Sequence, residues 1–129
     1  MAGLDSIGTV TVYVKDQDTA RTFYTQALGL EIRSDLPMGP GNNWLTVAPA
    51  GSPTEIMLFR DDEKAGSFAG IVFQSRDIQG AYERLAANGV TFSEPPTQQE
   101  WGGIQAQFSD PDGNGFVLVQ LPGDWHSGG

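Results

Sequence analysis

At 129 residues the chain suits one compact domain with a real core, and 39% apolar residues with 17 glycines and 8 prolines mean many turns but no disordered polymer. Lys and Arg number 7 against 16 Asp and Glu; the net charge of −9 disfavours nucleic acid and anionic membranes and weakly favours a cationic ligand. There is no cysteine, no basic start with an apolar run after Met1 and no bilayer-length apolar stretch, which excludes disulfides and thiolate chemistry and leads us to expect a soluble, cytoplasmic protein.

Residues Ile7 to Val14 alternate, with Val10, Val12 and Val14 on one face and Thr9, Thr11 and Tyr13 on the other, so a strand is expected. Asp16 or Asp18 can cap the helix that follows, where Ala20, Phe23, Tyr24, Ala27 and Leu28 form a stripe over Thr19 to Leu28 and Gly29 ends it. Leu30 to Arg33 reads as a short strand, Ser34 to Asn42 as a loop, Asn43 to Ala48 as a strand. Thr54 to Phe59 is a fourth strand, with Glu55, Met57 and Phe59 on one face and Ile56 and Leu58 on the other. The polar run 61–67 separates this module, 7–60, from a second, 68–121, and leaves a polar tail, 122–129.

The second module repeats the plan. Thr9 falls on Gly70, Asp16 on Asp77, Ala20 on Ala81 and Tyr24 on Leu85 at one offset; Gly29 falls on Gly89 and Ile32 on Phe92 one residue later in register. Ala69 to Gln74 is a strand, and a helix capped near Asp77 carries Ile78, Ala81, Tyr82 and Leu85 on its stripe. Val90 to Ser93 is a strand, Glu94-Pro95-Pro96 opens a loop through Trp101, and Ile104 to Phe108 with Phe116 to Leu121 makes a closing hairpin. Its turn, Asp110-Pro111-Asp112-Gly113-Asn114-Gly115, has a proline to preset φ and glycines at 113 and 115 able to take positive φ.

The pieces VYVKDQDTARTFYTQALGLE, DIQGAYERLAANGVTF, PPTQQEWGGIQAQF and DPDGNGFVLVQ, in this order, resemble the paired modules of the vicinal oxygen chelate superfamily, the glyoxalase, bleomycin-resistance and extradiol-dioxygenase group. The resemblance covers about residues 7 to 121. It implies an α+β fold of two β-α-β-β-β modules with mixed sheets curled into a cup and helices outside. It also implies a homodimer, sometimes with swapped modules, and a small molecule in the cup.

The enzymes of that group hold a divalent metal by side chains from the first and last strand of each module. Carried over, those positions are Thr9, Glu55, Gly70 and Val117, of which only Glu55 is an ordinary metal ligand. The sole histidine, His126, lies in the tail beside Trp125 and reads as a solvated terminal residue. No metal and no other cofactor is therefore expected, and no Ser-His-Asp set, Cys-His set or phosphate loop can be assembled.

If the cup face carries Thr9, then Thr11, Tyr13, Glu55, Met57, Phe59, Val72, Gln74, Val117 and Val119 share it by alternation, with Trp44 and Trp101 at the rim. Large π surfaces with Thr, Tyr and Gln to orient a guest suit a planar or aromatic compound; ordinary barrel packing is the competing reading, above all for Met57 and Phe59. Three functions follow. The first is a metal-independent binder, similar to the bleomycin-resistance branch, that sequesters an aromatic or antibiotic-like molecule. The second is a metal-free isomerase or hydrolase with Glu55 or Tyr13 as acid or base. The third is a metal-dependent lyase, isomerase or dioxygenase. The chain reads best as the first.

Overall fold

A computed structural model describes residues 2–123 of the chain. It divides into two compact units, Met1–Gly66 and Ser67–Gly129, each built on one four-stranded sheet. Trp125 and His126 lie outside the described residues.

In the first unit β1 (Thr9–Val14) leads to α1 (Gln17–Thr22), which runs on through a π-helical stretch, Phe23–Ala27, and then to β2 (Glu31–Pro37), β3 (Asn43–Ala48) and β4 (Glu55–Arg60). The strand order is β1-β4-β3-β2, with β1 parallel to β4 and the other pairs antiparallel. Val12, Val14, Leu45, Val47, Ile56 and Leu58 are buried together with Ala20 and Tyr24 of the helix, so one sheet face and the helical stripe make the core. The alternation expected for β1 and β4 is thus realised.

Of the two candidate caps, Asp16 and Asp18, it is Asp16 that caps the helix. Asp16 accepts a hydrogen bond from the Thr19 amide at 2.9 Å and another from its hydroxyl. These bonds hold the Asp16 carboxyl below its ordinary value, the Thr19 hydroxyl contributing most. Gln17 then ties the first turn to the sheet. Its Nε2 donates to the carbonyls of Asn43 (2.9 Å) and Leu58 (2.8 Å), and its Oε1 accepts from the Asn43 amide (2.8 Å).

The second unit repeats the order: β5 (Phe68–Gln74), α2 (Ile78–Ala87), β6 (Thr91–Gln98), β7 (Ile104–Ser109) and β8 (Gly115–Gln120), arranged β5-β8-β7-β6. Asp77 caps α2 through the Gly80 amide at 3.1 Å, and Gly89, at φ 92°, follows its last residues. Phe108 and Phe116 stack in the core with centroids 5.4 Å apart, and Phe73 lies tilted against Phe116 at 5.6 Å. The turn between β7 and β8 is organised by the buried Asp110, whose carboxylate accepts from the amides of Asp112 (3.0 Å) and Asn114 (2.8 Å) and from Asn114 Nδ2 (2.9 Å). Of the two candidate glycines it is Gly113 that takes positive φ, at 86°. Asn114 Oδ1 also accepts from the Ser67 amide at 3.1 Å, which fixes the start of β5.

Two strands run further than expected. Ser34 to Pro37, read as loop, extends β2, because Ser34, Asp35, Leu36 and Pro37 pair with Thr46, Leu45, Trp44 and Asn43 after a bulge at Arg33. Glu94 to Gln98, also read as loop, extends β6. Pro95 and Pro96 are tolerated there because β6 is an edge strand with irregular register against β7. β5 is interrupted as well: its register against β8 shifts between Phe68 and Val72, and Gly70 sits in the shift with φ 70°. Smaller differences are that Ile7 lies outside β1 and that the first helix begins at Gln17 instead of Thr19.

Candidate functional site

On the first unit the residues singled out by alternation meet in register. Parallel pairing places Thr9 beside Glu55, Thr11 beside Met57 and Tyr13 beside Phe59, all on the sheet face opposite the buried valines. The Thr residues are exposed; Tyr13, Glu55, Met57 and Phe59 are half-buried. Tyr13 and Phe59 meet edge to face at 6.5 Å, and the Lys64 ammonium stands 4.9 Å from the Tyr13 ring centre. Glu55 is held at the head of β4 by its amide, which donates to the Gly8 carbonyl at 2.9 Å. Its carboxylate makes no hydrogen bond or ion pair among the described residues.

β3 adds to this face. Thr46 is the partner of Met57 on one side and of Ser34 on the other, so Trp44, Thr46 and Ala48 share it. Trp44 is 39% exposed, whereas Thr46 is fully buried. Alternation on β1 and β4 does not point to Thr46; its signal in the sequence is a lone polar residue in the run Trp44-Leu45-Thr46-Val47-Ala48.

On the second unit Val72 pairs with Val117 and Gln74 with Val119, while Gln107 and Gln105 of β7 pair with the same two valines. Val72 is 53% exposed and Val119 is buried. The two β7 glutamines were not foreseen. They give this face amide donors and acceptors, and Gln105 Nε2 donates to Glu94 Oε1 at 3.3 Å. Trp101 belongs to the β6–β7 loop, where its ring lies over Gly103 so closely that any β-carbon there would collide.

The four metal positions of the resembling enzymes do not make a metal site from these residues. Thr9 and Glu55 are neighbours and supply one hydroxyl and one carboxylate; Gly70 and Val117 supply no donor. Among the described residues no group of three or more His, Cys, Asp or Glu side chains could hold an ion.

A separate cleft of ≈ 400 Å³ opens at the start of α1, lined by Lys15, Asp16, Gln17, Asp18, Arg21, Gly41, Asn43 and Arg60. Its charges are largely spent on one another and on the backbone: Arg21 reaches Asp18 and Asp35, and Arg60 reaches Asp62 and the Lys15 carbonyl. This notch, lined by polar and charged residues with a glycine, lacks the flat apolar walls that an aromatic guest needs. No helix among the described residues is long and apolar enough to cross a membrane.

Comparison with known proteins agrees with this architecture. Residues 6–118 match the model of the Glyoxalase/Bleomycin resistance protein/Dioxygenase superfamily. The Bacillus subtilis protein YetH is 46% identical over 120 residues, covering 91% of this chain and 99% of its own. A superfamily member from Sphaerobacter thermophilus is 36% identical with a TM-score of 0.83, over 92% of this chain and 98% of that one. TnmS3 from a Streptomyces species, described as an antibiotic binding protein, is 31% identical with a TM-score of 0.83, over 95% of this chain and all of its own (100%). With two β-α-β-β-β units of this register and a family match across both, the chain belongs to the glyoxalase/bleomycin resistance protein/dioxygenase superfamily.

Proposed function

We propose that the protein binds a planar, basic, antibiotic-like molecule on the Thr9–Glu55 face and needs no metal to do so. The observation that carries this reading is Glu55: a half-buried carboxylate without a protein partner among the described residues, set in line with Met57 and the Tyr13–Phe59 pair. A carboxylate in such a place gains most from a cation or a strong donor, because charge-assisted bonds are the stronger ones and the flanking apolar side chains limit competing water. Lys64 over Tyr13 is a model of the same chemistry, a cation resting on the face of this aromatic ring. The net charge of −9 adds attraction at a distance. The description of the Streptomyces relative as an antibiotic binding protein supports the ligand class.

The test is a titration with proflavine, a planar aminoacridine cation, and with bleomycin, followed by thermal shift and by recovery of the compound. Stabilisation should grow with ligand excess, reaching about 2.7 kcal/mol at a hundredfold excess over Kd. The recovered compound should be unaltered, and Glu55→Gln should weaken proflavine binding about tenfold or more, as loss of a charge-assisted hydrogen bond requires. The unpartnered carboxylate equally favours a second reading, a metal-free isomerase or hydrolase with Glu55 as base. Conversion of the compound that vanishes in Glu55→Gln while binding persists would establish that reading in place of ours.

A further inference from the structure

Thr46 is fully buried, and its Oγ1 is the buried side-chain polar atom that finds no hydrogen-bond partner among the described residues. A hydroxyl in that state destabilises the fold relative to a methyl group of the same shape, so its presence calls for a physical reason. Its position supplies one. Thr46 stands in the row Ser34, Thr46, Met57, on the same face as Glu55, which lies two residues along β4 from Met57. From strand rise and spacing, the backbones of Thr46 and Glu55 are about 8 Å apart across that face.

We infer that the Thr46 hydroxyl is the second polar anchor of the ligand face, an inference that rests on the proposed binding there. Glu55 takes the cationic or donor end of a planar guest. Thr46 takes a hydrogen-bonding group at the opposite edge, about two or three fused rings away by the spacing just given. Because Thr46 is covered, the guest reaches it only when a neighbouring side chain moves. Met57, its cross-strand partner, is half-buried and has three rotatable bonds, so it can give way without backbone change. The ligand class is then narrower than aromatic cations at large: it is a flat molecule with polar groups at both ends. A hydroxyl both donates and accepts, so the distal group can be a ring amine, a phenol or a carbonyl.

The experiment uses the full chain and proflavine, whose two ring amines lie at opposite ends of three fused rings. Thr46→Val keeps the shape and removes the hydroxyl. It should raise Tm by about 2–5 °C, since an unsatisfied buried group is replaced by a methyl, and at the same time weaken proflavine binding about tenfold. Thr46→Ser, which keeps the hydroxyl, should bind within about threefold of the wild type on the same scale. Opposite signs for stability and affinity are the signature of a group kept for a guest. A fall in Tm in Thr46→Val overturns the inference, because the hydroxyl then serves the fold, directly or through water. Equal binding by wild type and Thr46→Val overturns it while leaving the proposed function standing. If the wild type does not bind proflavine at all, the proposed function and the inference fall together.

Discussion

The Asp35 carboxylate shows how a single side chain can bind elements together. Arg21 approaches it with Nε at 2.8 Å and a second guanidinium nitrogen at 3.0 Å, a two-pronged grip, and Asn43 Nδ2 adds a bond at 2.8 Å. The Arg21 bond, followed by that of Asn43, holds the Asp35 carboxyl below its ordinary value, and the same contact raises Arg21. A depressed carboxylate stabilises the folded state above the unfolded value near pH 4 and loses that contribution as pH falls through the lower folded value. Asp35→Asn should therefore be less stable than the wild type at pH 7 by about 1 kcal/mol, the scale of a solvent-accessible pair with good geometry. The gap should close below pH 4. Urea unfolding at both pH values checks this, and a gap of constant size would contradict it.

Among the elements, the two helices are fastened to their sheets by the same device. Gln17 reaches from α1 to the backbone of β3 and β4, while Gln120 at the end of β8 accepts from the Ile78 amide at 2.8 Å at the start of α2. Gln17→Ala leaves two carbonyls and an amide without their partner, one of the carbonyls in a buried setting. Unfolding free energy should drop by roughly 2–4 kcal/mol, measured by urea titration, because orphaned buried groups cost more than the bond itself returns. A drop below about 0.5 kcal/mol would mean that water replaces the side chain without penalty. The bulge at Gly70 works differently: a positive φ of 70°, open to a glycine, accompanies the register shift of β5 against β8 between Phe68 and Val72.

For the molecule as a whole, the charge of −9 predicts how a guest arrives. Affinity for proflavine should fall about threefold as salt rises from low to physiological strength and beyond, whereas a neutral aromatic of the same size should show almost no slope. Equal slopes for the two would remove long-range attraction from the account. The donor set makes a further statement at this scale: protein purified without chelator should not carry stoichiometric iron, manganese, nickel or zinc.

What is local and periodic was legible in the sequence: the doubled β-α-β-β-β order, an aspartate cap at Asp16 or Asp18 and another near Asp77, the stop at Gly89, the Asp110 turn and the alternating faces of β1 and β4. Each rests on residues a few positions apart, whose spacing dictates geometry before any partner is present. Only tertiary packing shows how far β2 and β6 extend, that β5 breaks at Gly70, that Gln105 and Gln107 join the second face, and that Thr46 Oγ1 is buried with no hydrogen-bond partner among the described residues. Those features depend on which distant strand lies alongside, and a strand's own residues carry no record of their neighbour's register.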